Sequence, residues 1–313
     1  MLVKPATYPD SRISRIQWRD RAGVSPASRA SLRPRYCGSA LGLLLLLALC
    51  ACAGSPPRHV LPRHPRIVAL MPVFVDDLVA IGAAHQIAGV SSGTEDIPQV
   101  RSVARVADFA SVDVERIVAL HPDLVVAIPA QMRFLRSLSQ TGIEVVTLPD
   151  DAYGDIFSNL RRLGALSGHE RAASAEVAAL RKQTARIVSR RRRFAVPPSV
   201  FVVIGVQPIW TVGSKSYIAA LVRLAGGRDA AALGSDYGEY SAEALLRAQP
   251  DVIISDPSTD IGTVLGREPW RSLRAVQQHR VFIVPDASLI ERPGPRYVRG
   301  LAWLVRQFRA MKL

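Results

Sequence analysis

Apolar positions along this chain gather into short runs separated by stretches of helical spacing. Arg66-Ile67-Val68-Ala69-Leu70-Met71 predicts a buried strand closed by Pro72, and Val73 to Ile81 repeats at helical intervals up to Gly82. Ile87 to Val90 predicts a strand, Asp113 to Leu120 a short helix and Leu124 to Ile128 a strand. Gln131 to Gln140 predicts a helix stopped by Gly142, and Ile143 to Leu148 a strand. The order then recurs. Val200 to Val206 predicts a strand closed by Gln207-Pro208, Tyr217 to Leu224 a helix ended by Gly226-Gly227, and Ala242 to Ala248 a helix. Val252 to Ile254 and Val281 to Val284 predict strands, and Pro295 to Met311 a terminal helix. Short apolar strands alternating with helices imply parallel βα units.

Two of these stretches spell the same message. Asp108-Phe109 and Asp236-Tyr237 are acidic–aromatic pairs; Glu115 and Glu243 follow six residues after each aromatic, and Pro122-Asp123 and Pro250-Asp251 come seven residues after each Glu. Between the copies, Asp155 to Arg193 is helical in pattern, with Gly164 and Gly168 the interruptions. Glu170 to Arg193 holds no Gly or Pro, and 24 helical residues reach roughly 36 Å. The expected fold class is α/β: two βα lobes with central, mainly parallel sheets, joined by one long bridging helix, with a ligand cleft between the lobes. The lobes are expected over residues 66–153 and 195–313, with the bridge over 154–194. Lobes braced by one stiff helix are expected to hinge little.

At 313 residues, 49% apolar and 21% charged, the composition is globular and allows two cores. The three cysteines, Cys37, Cys50 and Cys52, all precede residue 53, which excludes a disulfide framework or a cysteine metal site in the body. The net charge is +14, of which residues 1–52 carry +6, with eight Lys/Arg against Asp10 and Asp20. Arg190 to Arg193 form a basic block without interleaved aromatics. It reads as a solvated helix end favourable to the C-terminal dipole, and no nucleic-acid partner is expected.

Arg33 and Arg35 precede an apolar run from Ala40 to Ala51, which suits a secretory signal and is too short for a membrane span. Leu49-Cys50-Ala51-Cys52 resembles the bacterial lipobox, with Cys52 as the lipid acceptor because Ala51 before it is small. Residues 1–52 are thus expected to be an N-terminal extension and lipoprotein signal peptide. Residues 53–65, with Pro56, Pro57, Pro62 and Pro65, are expected to be an extended tether.

Over about residues 65–311 the chain resembles the periplasmic-binding-protein family for cobalamin and ferric siderophores, the helical-backbone substrate-binding proteins of ABC importers. The matching residues are Arg66 to Leu70 with Pro72, Val114 to Val125, Glu243 with Pro250-Asp251, and Arg292-Pro293-Gly294-Pro295-Arg296 before the last helix. The resemblance implies a monomeric receptor that hands a small-molecule metal chelate to a permease and ATPase complex, with no cofactor of its own. It implies that Glu115 and Glu243 dock onto the permease, where two separated carboxylates fix orientation. Each also suits the first turn of a helix, with Ser111 or Asp113 and Ser241 as caps. The resemblance further implies that Phe109, Tyr237 and Trp210 line the cleft and that Arg292 contacts ligand. Gly93, Ile128-Pro129 and Ser288 stand where cobalamin binders carry a Tyr, another aromatic and an acidic residue. The cargo is accordingly a corrinoid, a ferric siderophore or haem, with Arg292 and Arg296 available to carboxylates.

Other classes have less behind them. The histidines His59, His64, His85, His121, His169 and His279 are scattered, which disfavours a bare-metal receptor. Asp150-Asp151 and Glu95-Asp96 are adjacent acids that suit solvated turns, with no nucleophile motif beside them. Gly213-Ser214-Lys215-Ser216 resembles the end of a phosphate loop, but position 208 is Pro where the first glycine belongs. A lipoprotein that senses ligand without transporting it shares the same sequence features.

Overall fold

The structure, a computed structural model, describes residues 61–311 apart from Phe109 and Ala232. Cys52, the signal segment and most of the tether lie outside the described residues. The last tether residues lie against the domain: Pro65 is buried, Leu61 packs on the core and His64 Nδ1 meets Gln86 Nε2 at 3.2 Å.

The first sheet holds β1 (Ile67–Ala69), β2 (Ile87–Ser91), β3 (Ala104–Ala107), β4 (Leu124–Ala127) and β5 (Glu144–Thr147) in the order β3-β2-β1-β4-β5, all parallel. Helices α1 (Pro72–Ala80), α2 (Val114–Ala119) and α3 (Met132–Leu135) connect them. β1 is central because both its faces are apolar. Ile67 and Ala69 enter the large core with Phe74 and Leu160, while Val68 enters a second cluster with Ile117 and Leu138. The helix expected over Gln131–Gln140 is broken, with only Met132–Leu135 as α-helix between 3-10 turns. The Gln131 side chain explains its start: it accepts from Ile128 N–H and donates to the Leu70 carbonyl.

Two helices cross to the second lobe, α4 (Asp155–Ser167) and α5 (Glu170–Ser189). Gly168, at φ 74°, separates them, and a Cβ on Gly164 would stand 2.5 Å from Cβ of Ala173, so their backbones nearly touch. α5 spans 20 residues, roughly 30 Å, and buries Ala173, Val177, Leu180 and Thr184 along one stripe. It stops four residues short of Arg193. Arg191 and Arg192 instead turn away to donate to the carbonyls of Leu224 and Met311, which other helices leave open at their ends.

The second sheet holds β6 (Ser199–Val206), β7 (Ile209–Val212), β8 (Arg228–Asp229), β9 (Tyr237–Glu239), β10 (Val252–Ser255) and β11 (Val281–Ile283), in the order β11-β10-β6-β7-β9 with β8 beside β6. Helices α6 (Tyr217–Ala225), α7 (Ala242–Ala248), α8 (Arg274–Gln277), α9 (Ser288–Glu291) and α10 (Tyr297–Ala310) complete the lobe. β6, β10 and β11 run parallel, whereas β7 and β9 are antiparallel additions. One consequence is that Tyr237 opens a strand. α4 packs on α1 of the first lobe and α5 on α10 of the second. The largest core runs continuously from Ile67 through Leu180 to Phe308.

Candidate functional site

In parallel sheets the strand carboxyl ends carry the loops that meet ligands. In the first lobe β2 delivers Gly93 and Asp96, β3 delivers Asp108, and β5 delivers Asp150 and Asp151. In the second, β10 delivers Asp256, and β11 delivers Asp286 with α9 behind it. These edges face each other. Tyr217 N–H donates to the Asp151 carbonyl at 2.7 Å, and Arg292 Nη1 and Nη2 reach Asp96 at 3.2 and 3.1 Å.

One flank of this facing surface is closed by ions. Arg296 Nη2 meets Asp76 Oδ2 at 2.8 Å and its Nη1 meets Asp96 at 2.6 Å, while Arg292 also donates to the Gly93 carbonyl. Asp76 is 8% exposed, and its burial raises its pKa even though both arginines pull it down. Burial likewise opposes ionisation of Asp96, but hydrogen bonds from Arg296 and Arg292 carry its pKa below the usual carboxylate range. Its neighbour Asp77 is fully buried, and neither oxygen has a hydrogen-bond partner. Burial, then the charges of Asp76 and Glu176, push its pKa well up. Arg292, expected to touch ligand, is thus held by protein oxygens.

Other groups of the facing surface are aromatic and acidic. Tyr237 pairs with Val212 and Glu239 with Trp210, so all four share one face of the β7–β9 ribbon. Tyr237 and Trp210 are diagonal neighbours there, roughly 7–8 Å apart. Tyr237 keeps 36% of its surface exposed, yet burial raises its phenol pKa, followed by the charges of Asp150, Asp151, Asp236 and Glu291. Trp210 is half-buried, and Phe109 lies outside the described residues. Asp150 is half-buried and pushed up to about 6 by burial, then by Asp151 and Asp155. Glu291 rises to about 7 through burial and then Asp256, whose carboxylate also accepts its hydrogen bond. Asp150 and Asp96, read from sequence as turn acids, are therefore parts of the facing surface.

The repeated message has a structural basis at a constant spacing of 128 positions. Asp113 accepts the Arg116 N–H at 2.9 Å and Ser241 the Ala244 N–H at 3.1 Å, capping α2 and α7. Glu115 and Glu243 sit exposed in the first turns of these helices. Both helices run back against the strands, so both glutamates lie on the side of the strand carboxyl ends. His121 and Gln249 follow in left-handed backbone, φ 47° and 39°. Asp123 then accepts the Arg66 N–H at 2.7 Å and Asp251 the Ser199 N–H at 2.8 Å, fixing the start of each lobe's first strand.

A hollow of about 250 Å³ between Val118–Asp123 and Thr141–Ile143 opens at the amino ends of β4 and β5, away from these loops. Among the described residues no group of three or more His, Cys, Asp or Glu is placed to hold a metal ion. No described helix is long and apolar enough to cross a membrane.

Comparison with known proteins agrees with this architecture. An ABC transporter substrate-binding lipoprotein of Bacillus subtilis, YvrC, is 27% identical over 244 residues, covering 75% of this chain and 77% of its own. A vitamin B12-binding protein of Pectobacterium carotovorum is 28% identical over 273 residues, covering 85% of this chain and 93% of its own. The periplasmic heme-binding protein RhuT of Roseiflexus superposes with a TM-score of 0.70 at 22% identity, over 78% of this chain and 98% of its own, a likeness of fold. The family described as periplasmic binding protein matches residues 67–287, and with two facing βα lobes around a helical bridge, this chain belongs to it.

Proposed function

We propose that this protein is the solute-binding component of an ABC importer. It captures a metal chelate, in the first instance a cobalamin or other corrinoid, between its lobes and delivers it to a permease and ATPase complex. The observation that carries this reading is the exposed ring of Tyr237, diagonal to Trp210 on the β7–β9 ribbon, on a surface where the carboxyl edges of two sheets face each other. Flat aromatic faces against a macrocycle bury large apolar area with few rotors to order. Tyr237, Trp210 and Phe109 are assigned to that lining. Arg292 contacts the ligand by exchanging Asp96 for it. The vitamin B12-binding relative supports the corrinoid, and the protein does no covalent chemistry in this role.

Haem or a ferric siderophore is the second reading, supported for haem by the structural neighbour that binds it. Glu115 and Glu243 are assigned to permease docking. Cys52 is assigned to lipid attachment, which anchors a monomeric protein to the membrane on the extracytoplasmic side, and the lipoprotein relative supports this. A sensor lipoprotein without transport would share the capture step.

Titration of tryptophan fluorescence with cyanocobalamin, haemin and ferric siderophores, corrected for absorption with free tryptophan, tests the proposal. Trp210 is the half-buried reporter, while Trp270 and Trp303 are buried at 2% and 6% exposure. Saturable submicromolar binding of one ligand is expected. Absence of binding to all of them would overturn chelate capture.

A further inference from the structure

The body of the chain carries its excess charge in one place. Residues 61–311 hold 30 Lys/Arg against 24 Asp/Glu, an excess of six. Three helices account for all of it, since α4, α5 and α10 together bear nine Lys/Arg against Asp155, Glu170 and Glu176. All nine cations are exposed, and among the described residues none of them lies in an ion pair. α5 lies across the other two helices. Its Ala173 packs against Gly164 of α4, and its Thr184 Oγ1 is 2.6 Å from the Tyr297 hydroxyl of α10. The buried stripe of Ala173, Val177, Leu180 and Thr184 sets the outward face of α5. There Arg171, Lys182 and Arg186 recur at close to whole turns, with Ala175, Ala178 and Ala185 between them. Arg161 and Arg162 of α4 are exposed on one helix it crosses, and Arg299, Arg306 and Arg309 of α10 on the other.

A second observation is where the tether lands. The His64 ring stands 5.7 Å from that of His169, the residue before α5, and a Cβ on Gly168 would lie 2.5 Å from the Arg63 carbonyl oxygen. The chain from Cys52 thus joins the domain at the end of α5 where Arg171 stands. Cys52 is nine residues before Leu61, at most about 32 Å of chain. A lipid there keeps this face within reach of a bilayer.

We propose that the outward face of α5, with the arginines of α4 and α10 beside it, rests on anionic phospholipid headgroups. Lys and Arg close to such a surface gain from its negative potential, and the alanines between them let the long side chains reach phosphates. The exposed residues of α5 include no large apolar one, so the contact is electrostatic and does not insert. Glu115 and Glu243 lie on α2 and α7, so this contact is separate from permease docking and holds whichever chelate fills the cleft.

Residues 58–313 form one compact unit that holds every core cluster, so residues 53–313, which lack Cys52 and its lipid, serve as the test protein. Co-sedimentation compares vesicles of phosphatidylcholine alone with vesicles holding an equal share of phosphatidylglycerol. Binding is expected on the anionic vesicles only, and is lost at high salt. Arg171→Gln, Lys182→Gln and Arg186→Gln together should weaken it about tenfold or more. Arg101→Gln, Arg133→Gln and Arg267→Gln remove the same charge from exposed positions elsewhere and should change it less than about threefold. Equal binding to both vesicle types, binding to neither, or an equal loss in the two triple variants overturns the inference and leaves solute capture standing. The wild-type comparison decides by itself where a variant does not fold.

Discussion

Arg296 Nη2 lies 2.8 Å from Oδ2 of Asp76, across 220 positions of sequence, and ties the start of the last helix to the first helix of the other lobe. Asp76 is 8% exposed, and burial lifts its pKa against the pull of Arg296 and Arg292. Such a pair fixes how two surfaces meet more than it adds net stability. Breaking it from one side leaves a buried carboxylate. Arg296→Ala should therefore cost on the order of 2 kcal/mol in urea unfolding, with Arg292 at 3.5 Å covering part of the loss. Arg296→Met combined with Asp76→Asn should cost less than the single change.

The raised pKa of Asp150 carries a pH signature. The groups that face it are Asp151 and Asp155, with no cation among them. A carboxyl whose folded pKa lies above its unfolded value favours the fold at low pH and loses that contribution as pH rises through the folded value. For Asp150 the window runs from about 3.8 to about 6. Asp150→Asn should raise the melting temperature of the ligand-free protein at pH 8 and leave it unchanged near pH 4. The gain is at most about 3 kcal/mol. Thermal melts at both pH values check it.

The Pro-Asp repeats predict a graded pair of effects. Asp123 holds the Arg66 N–H, whereas Asp251 holds the Ser199 N–H, the Ser199 hydroxyl at 2.7 Å and Arg274 at 3.0 Å. Asp123→Ala should destabilise by about 1–2 kcal/mol and Asp251→Ala by more, since the latter leaves more donors unpaired. Chemical denaturation of both variants decides the order.

Glu115 and Glu243 are exposed on helix first turns, and neither lies in a core cluster. Glu115→Arg and Glu243→Arg should each reduce ligand uptake through the importer, and together abolish it, while ligand affinity in solution stays unchanged. Uptake that survives the double change would remove the docking assignment.

The alternating pattern made the parallel strands and their helices legible, down to Ala242–Ala248, because short wholly apolar runs have few other places to go. β3 was not legible, since Ala104-Arg105-Val106-Ala107 has small residues and one charge where a strand signal needs branched apolar ones. The β7–β9 ribbon was hidden for another reason. Gly213 lets the 233–236 loop come so close that a Cβ would lie 1.7 Å from the Ser235 carbonyl, and that approach, not propensity, brings Tyr237 alongside Val212. At the site, the repeated aromatic and glutamate positions were visible from spacing. Asp76 was not, because it sits inside a run that reads as an apolar helix and its partner is a whole lobe away.

The central claim is that the facing carboxyl edges close on a metal chelate with Tyr237 in the wall. Isothermal titration of cyanocobalamin into the wild-type protein and into Tyr237→Ala tests it most directly. The account predicts one-to-one submicromolar binding, weakened about tenfold or more by the loss of the ring. Equal affinity in the two proteins, or no binding to the wild type, would contradict it.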